Sequence, residues 1–161
     1  MHLVAILTIS DGVTAGTRQD LSGSALSDLL ESKGYQVAAR DVVPDDAERI
    51  GQAIRDLAAR ASLVITTGGT GFGPRDVTPE ATRAVIDRDA IGLVVLMLSE
   101  AIKVNPMAAL SRAVAGVCEN SLVVNLPGSP KGATENLTAL LPVLPHALEL
   151  LAGDTEHKPA I

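Results

Sequence analysis

Residues 62–81 read SLVITTGGTGFGPRDVTPEA, and this stretch decides the expected fold. It opens with a short β-branched run bounded by glycines, which is typical of a buried strand in a parallel sheet. Thr78, Pro79 and Glu80 then have the pattern of an N-cap, a first-turn proline and an acidic first turn, so a helix is expected from about residue 79. The loop between the strand and the helix therefore lies where open α/β sheets bind their ligands.

This glycine loop, Gly68 to Asp76, has the composition of an anion-binding site. Its four glycines permit positive φ and let a ligand approach without meeting a Cβ atom, and Thr70 adds a hydroxyl group. A tight turn could need glycines for shape alone, but an arginine and an aspartate in the same loop favour a ligand. A P-loop is excluded because no lysine follows the glycines, and a dinucleotide-binding turn is disfavoured because two prolines delay the helix.

The whole chain has 161 residues, a formal net charge of -6, one Phe, one Tyr and no Trp. A chain of this length forms one domain, which we expect to cover residues 1–152 and to be followed by a loose polar tail at 153–161. The negative charge and the scarcity of aromatic side chains disfavour nucleic acid as a partner.

The sequence has no strong pattern for a zinc site, a disulfide framework or a membrane span. Cys118 is the single cysteine and the three histidines are scattered, so a disulfide framework and a zinc site are disfavoured. The N-terminus lacks a basic leader, and the longest apolar run, residues 91–98, is too short to span a bilayer. We therefore expect a cytoplasmic protein without a membrane contact.

Strand and helix patterns alternate along the chain. The expected strands cover residues 3–9, 35–43, 62–67 and 121–126; the expected helices cover 20–33, 45–60, 79–87, 92–104 and 131–151. This alternation predicts an α/β fold whose parallel sheet is covered on both faces. The helix at 92–104 is apolar on nearly every side, so we expect a second subunit to cover part of it.

Polar loops follow the expected strands. In chain order they contain Ser10-Asp11-Gly12, Pro44-Asp45-Asp46, the glycine loop and Pro127-Gly128-Ser129. Because the carboxyl ends of parallel strands share one edge of a sheet, we expect these four loops to meet.

Aspartates in these loops would suit Mg²⁺. One of Asp45 and Asp46 could simply cap the helix that follows, although both cannot be the cap residue. The other, together with Asp76, would hold the ion against phosphate oxygens, and glycine-loop N–H groups would bind the remaining oxygens. The residues alone therefore predict a magnesium-dependent nucleotide or phosphate-ester site.

The sequence also resembles the molybdopterin adenylyltransferases of molybdenum cofactor synthesis, which include the bacterial enzyme and the gephyrin-type G domain. The resemblance covers residues 6–151 and rests on five blocks in the family order. These are TISD at 8–11, VPD at 43–45, TGGTGFGPRDVTPEAT at 67–82, LSR at 110–112 and NLPGSPK at 125–131. The block at 67–82 is highly specific, and five blocks in order make coincidence implausible.

The resemblance implies a three-layer α/β/α sandwich with a mostly parallel sheet, the molybdopterin-binding fold, assembled as a homotrimer. It implies Mg²⁺-dependent transfer of AMP from ATP to the terminal phosphate of molybdopterin, with release of pyrophosphate and hand-over of the product to a molybdenum-inserting enzyme. Asp45 and Asp76 match the family's two essential aspartates, which implies catalytic and metal-binding roles. A non-catalytic molybdopterin-binding paralogue is the alternative, and the presence of both aspartates favours the enzyme.

The resemblance also implies which residues bind the two substrates. Nucleotide contacts are expected from Ser10, Asp11, Gly68, Gly69, Thr70, Gly71, Gly128 and Ser129. Molybdopterin contacts are expected from Arg75, Thr78, Ser111 and Arg112. Arg75 could instead form an ion pair with a neighbouring acid, while Ser111 and Arg112 could simply cap or pack a short turn.

Overall fold

The computed structural model describes residues 2–154, which form a six-stranded sheet with helices on both faces. The strands are β1 (Leu3–Ile9), β2 (Gln36–Val43), β3 (Leu63–Thr67), β4 (Arg88–Asp89), β5 (Ala115–Cys118) and β6 (Ser121–Leu126). The helices are α1 (Asp11–Thr14), α2 (Leu21–Ser32), α3 (Ala47–Ala58), α4 (Thr78–Arg83), α5 (Ile91–Val104), α6 (Pro130–Leu140) and α7 (Leu144–Leu151), with a 3₁₀ helix at Pro106–Leu110. The expected α/β/α sandwich is confirmed.

The strand order is β2-β1-β3-β6-β5-β4, and the first four strands are parallel. β5 pairs antiparallel with β6, and β4 pairs antiparallel with β5 at the edge of the sheet. The sequence patterns predicted the four parallel strands and missed β4 and β5. Strands this short carry little periodicity, and the turn between β5 and β6 places Glu119, instead of a glycine, at φ 56°.

Alternation along the central strands divides the core into two layers. Leu63 and Ile65 of β3 face the layer formed with α2, α5, α6 and α7, whereas Val64 faces the layer formed with α3 and α4. Ile50 and Ile54 of α3 are fully buried, as their helical spacing predicted. The helices cover the two faces of the sheet. The edge at which the parallel strands end is not covered by them, so the loops there remain accessible.

The helix caps show which of Asp45 and Asp46 begins α3, a choice that the sequence left open. Asp20 Oδ1 accepts the N–H of Gly23 at 2.9 Å, and Asp46 Oδ1 accepts the N–H of Arg49 at 2.9 Å. Asp46 is therefore the cap of α3, which begins two residues later than expected. Asp45 is left to face the loops at the sheet edge.

The prediction that Thr78 is the N-cap of α4 was wrong. Val77 occupies that position, and Thr78 is fully buried in the first turn. Its hydroxyl donates to the carbonyl oxygen of Gly68 at 2.9 Å because the glycine loop folds back over the helix start. The helix also ends four residues early, at Arg83, since the N–H of Asp87 donates to Val117 O and leads the chain toward β5.

Two expectations concern the chain as a whole. No helix among residues 2–154 combines the length and the apolar character needed to cross a bilayer. Gly153, at φ 88°, follows α7, but residues 155–161 of the expected tail lie outside the described residues. The domain limits and the loose tail stay predictions.

Candidate active site

The loops that follow β1, β2, β3 and β6 meet at one edge of the sheet. In the described part of the chain, two cavities of about 700 and 400 Å³ open at this edge. Gly69, Asp76 and Gly128 line both cavities, so the two spaces meet at the glycine loop. Each volume lies in the range of small-molecule sites.

The larger space, which we call the polar cavity, lies beside β1, β2 and the starts of α2 and α6. Outside the shared residues, its lining includes Thr8, Ser10, Arg18, Asp20, Asp45, Gly68 and Ser129. The hydroxyls of Ser10 and Ser129 accept backbone N–H groups of Val13 and Gly132 at 3.2 and 3.1 Å. Both serines are therefore helix caps as well as cavity residues.

The smaller space, the apolar cavity, lies between α5, the 3₁₀ helix and α6. Its apolar lining comes from Val94, Met97, Leu98, Ala101, Met107, Ala108, Leu110 and Ala113. Thr70, Gly71 and Ser111 complete the wall nearest the glycine loop, and the Ser111 hydroxyl accepts the N–H of Ala113 at 3.2 Å. The sequence missed the contribution of α5, because a helix that is apolar all round does not reveal which face lines a cavity.

The start of the glycine loop needs glycine for close approach. Gly68 has φ 104°, and a Cβ atom there would collide with the carbonyl oxygen of Ile9 in β1. Gly69 has φ 66°, and its Cβ would lie 3.1 Å from Asp45 Oδ1. The loop therefore crosses the ends of neighbouring strands and leaves space beside the Asp45 carboxylate.

Asp76 lies at the junction of the two cavities. Its Oδ2 accepts the N–H of Gly73 at 2.8 Å. A Cβ atom built on Gly71 or Gly73 would lie 3.0 or 2.9 Å from the same oxygen. These two glycines therefore provide the space that the carboxylate occupies.

Asp11 and Asp45 hold each other across two loops. The N–H of Asp11 donates to Asp45 Oδ2 at 3.0 Å, and the N–H of Asp45 donates to Asp11 Oδ1 at 3.0 Å. Arg75 donates from Nε and Nη2 to the two oxygens of Asp11, both at 3.0 Å. Asp11 and Arg75 form an ion pair that positions Asp45, and neither lines the two cavities; their expected substrate contacts stay predictions.

The surroundings of Asp11 and Asp45 shift the pKa values of the two acids in opposite directions. The hydrogen bond from Arg75 lowers the pKa of Asp11 below its usual value. Burial raises the pKa of Asp45, and the negative charges of Asp11 and Asp76 raise it further. A bound cation would favour the ionised form of Asp45 and offset both effects.

Arg112 braces the glycine loop. Its Nε and Nη2 donate to the carbonyl oxygens of Gly71 and Asp76, both at 2.7 Å, and its backbone N–H donates to Thr70 O at 2.9 Å. It also pairs with Glu80, whose pKa this hydrogen bond lowers. Arg112 lines neither cavity, and its hydrogen bonds match the packing role that the sequence left open; the expected molybdopterin contact stays a prediction.

A buried polar network lies beneath the loop. The Thr82 hydroxyl donates to Thr78 O at 2.8 Å, and Asn125 Nδ2 donates to the hydroxyls of Thr66 and Thr82, both at 2.9 Å. Asn125 Oδ1 accepts the N–H of Val114 at 3.1 Å. Because Thr78 is fully buried, it supports the loop from below and has no surface for the molybdopterin contact expected of it.

The two loop aspartates suit Mg²⁺. Asp45 and Asp76 each have one oxygen held by a backbone N–H, while Oδ1 of each accepts no hydrogen bond from the described residues. Within residues 2–154, no three acidic, histidine or cysteine side chains converge as a complete metal site. An ion held here would thus take substrate and water oxygens as further ligands, which is the usual arrangement for Mg²⁺.

The chain is similar to proteins of molybdenum cofactor biosynthesis. Residues 5–146 match the family described as "Probable molybdopterin binding domain". The crystal structure of the molybdopterin biosynthesis enzyme MoaB from Thermus thermophilus has a TM-score of 0.90 and 50% identity, covering 95% of this chain and 98% of that one.

Curated relatives give the same result. A molybdopterin adenylyltransferase of Helicobacter pylori J99 is 36% identical, covering 94% of this chain and 88% of its own length. Gephyrin of Dictyostelium discoideum is 38% identical over 92% of this chain, which spans 22% of gephyrin. The chain therefore belongs to the molybdopterin adenylyltransferase family of molybdopterin-binding domains.

Proposed function

We propose that this protein transfers AMP from ATP to the terminal phosphate of molybdopterin, with Mg²⁺, and releases pyrophosphate. The observation that carries the proposal is the meeting of two cavities of different character at Asp76. A transferase must bring two substrates together, and its reacting groups must meet where their sites join.

The polar cavity suits the nucleotide. The N–H groups of the glycine loop and of the α6 start, together with Ser10 and Ser129, are suited to phosphate oxygens. The apolar cavity suits the pterin, with Thr70 and Ser111 as polar partners at its wall. The terminal phosphate of molybdopterin would then lie beside Gly128 and Asp76.

The chemistry needs no covalent protein intermediate. A phosphate oxygen of molybdopterin attacks the α-phosphorus of ATP, the bond from that phosphorus to the α,β-bridging oxygen breaks, and pyrophosphate leaves with the electron pair. Asp45 and Asp76 would hold the ion beside the reacting phosphates, and the loop N–H groups stabilise developing charge. Mg²⁺, when bound, neutralises charge on the phosphate oxygens.

We expect the purified protein, given Mg²⁺, ATP and molybdopterin, to form adenylylated molybdopterin and pyrophosphate in equal amounts. Mass spectrometry detects the first product, and a pyrophosphatase-coupled phosphate assay detects the second. Reactions with EDTA or without molybdopterin are the controls. Molybdopterin binding without pyrophosphate release would overturn the transferase assignment.

The alternative function is a molybdopterin-binding protein that transfers nothing. It stays a candidate because the description of the matching family gives molybdopterin binding and no reaction. The free Oδ1 atoms of Asp45 in the polar cavity and of Asp76 at the cavity junction favour the transferase, since binding alone would not require them. Cytoplasmic location and hand-over of the product to a molybdenum-inserting enzyme stay predictions from the sequence.

We also propose a homotrimer, in which neighbouring subunits cover α5. Met97 is the buried residue of this helix, whereas Ile91, Val95 and Val104 are 69, 59 and 64% exposed. An apolar patch of this kind marks an interaction surface. Light scattering should give a mass three times the 16.6 kDa of one chain.

Val95→Asp is expected to dissociate the trimer, because association would bury a carboxylate in an apolar contact. Arg49→Asp, on the exposed side of α3, is the control and should leave the mass unchanged. A wild-type protein that stays monomeric at micromolar concentration would contradict the trimer.

A further inference from the structure

Arg18 differs from the other charged residues of the polar cavity in the sign of its charge. Among residues 2–154, this cavity is lined by three aspartates, Asp20, Asp45 and Asp76, and by a single positively charged side chain, that of Arg18. Asp20 is paired with Arg40 at 3.1 Å. No acidic group of the described residues lies within ion-pair distance of Arg18, so its guanidinium is available to a ligand.

The position of Arg18 is built into the fold. The N–H groups of Thr17 and Arg18 both donate to Gly12 O, at 3.0 and 3.1 Å, which closes the loop after β1. The aliphatic part of the Arg18 side chain lies against Gly12, where an added Cβ atom would be 2.6 Å from Arg18 Cδ and 3.1 Å from Cγ. The absence of a side chain at residue 12 thus gives the arginine its place on the cavity wall.

The charge balance of the cavity calls for such a group. A triphosphate that enters beside Asp45 and Asp76 meets like charge in a chain whose net charge is already -6. The guanidinium is the side chain best matched to phosphate, because its planar set of N–H donors can bind two oxygens at once.

The layout indicates which phosphates Arg18 would bind. The attacked α-phosphate must lie at the junction of the two cavities, beside Asp76. Arg18 lines the polar cavity alone, so it lies beyond the junction, where the rest of the nucleotide extends. Of the two ends of that nucleotide, the anionic one attracts the guanidinium.

We propose that Arg18 binds the β- and γ-phosphates of ATP and so holds the pyrophosphate leaving group. The inference rests on the proposed function and adds to it a phosphate-binding residue outside the sequence blocks that carry the family resemblance.

Arg18→Gln is expected to weaken binding of ATP by about 10- to 100-fold, the usual effect of losing a hydrogen bond to a charged group. Binding of inorganic pyrophosphate should weaken in the same way, whereas binding of AMP, which lacks the β- and γ-phosphates, should not change. The ATP affinity of Arg18→Lys should lie between those of the wild type and of Arg18→Gln, because lysine keeps the charge and loses the planar set of donors. Isothermal titration calorimetry with Mg²⁺ and each of the three ligands measures this.

Two further variants test the position and the specificity. Gly12→Ala keeps the guanidinium but displaces its stem, so it should weaken ATP binding and leave AMP binding intact. Arg49→Gln is the matched control, since Arg49 is an exposed arginine of α3 outside the cavity, and should bind all three ligands as the wild type does.

The outcomes separate this inference from the proposed function. If the wild type binds ATP and Arg18→Gln binds it equally well, the role of Arg18 is overturned and the transferase stands. If Arg18→Gln weakens the binding of AMP as much as the binding of ATP, the assignment of Arg18 to the β- and γ-phosphates is overturned. If the wild type binds no ATP, the transferase proposal itself fails.

Discussion

Asp76→Asn is expected to lower the turnover of adenylyl transfer by about 100- to 1,000-fold, the usual effect of removing one group that stabilises developing charge. The amide side chain has the size of the carboxylate, and its oxygen can still accept the N–H of Gly73 beneath the loop. The space left by Gly71 and Gly73 therefore stays filled, and the unfolding temperature should change little. The negative charge that would hold Mg²⁺ at the junction is lost.

The measurement is steady-state transfer over a range of Mg²⁺ concentrations, with thermal unfolding alongside. Asp46→Asn is the matched control, because Asp46 caps α3 and asparagine caps a helix about as well. That control should keep full turnover. Near wild-type turnover in Asp76→Asn would contradict the role given to this aspartate, as would an equal loss in both variants.

Asn125→Leu is expected to cause the largest loss of stability, about 2–4 kcal/mol in the free energy of unfolding. Asn125 is fully buried, and it joins the hydroxyls of Thr66 and Thr82 to the N–H of Val114. Leucine would leave that N–H without an acceptor in the core. The loss is a large part of the total stability of about 5–15 kcal/mol that is usual for a domain.

Urea unfolding measures this change as a shift of the midpoint. Asn120→Leu is the control, because Asn120 is exposed in the turn between β5 and β6 and its replacement should cost less than about 0.5 kcal/mol. An Asn125→Leu protein as stable as this control would show that the network beneath the glycine loop contributes little.

The parallel part of the sheet and the place of the site could be predicted from the sequence. The β-branched run at Leu63–Thr67 and the glycines after it gave the central strand and the loop at its carboxyl end. The same pattern could not predict β4, a two-residue strand that exists because the chain after α4 pairs with β5, which is distant in sequence. It also missed β5, because this strand is short and the turn that joins it to β6 lacks a glycine. Local periodicity carries no information about such pairing.

Some of the functional residues could be predicted from the sequence, and for others the contacts could not. Asp45, Asp76, Ser111 and the glycines at 68, 69 and 71 were predicted, and they line the two cavities. Arg75 and Arg112 were also expected at substrates, yet each is engaged by protein groups that lie far away in the sequence. Arg18 gave no local pattern at all. A side chain's partner depends on which loops the sheet brings together, and the sequence around that side chain does not specify it.

The sequence by itself determined the α/β alternation, the glycine loop and the types of residue at the strand ends, because these depend on local spacing and backbone freedom. The tertiary structure decided what each group touches. It made Asp46 the cap and left Asp45 to the site, buried Thr78, and brought two cavities together at Asp76. The physical reason is that parallel strands place loops from distant parts of the chain at one edge, where hydrogen bonds and charge then select the partners.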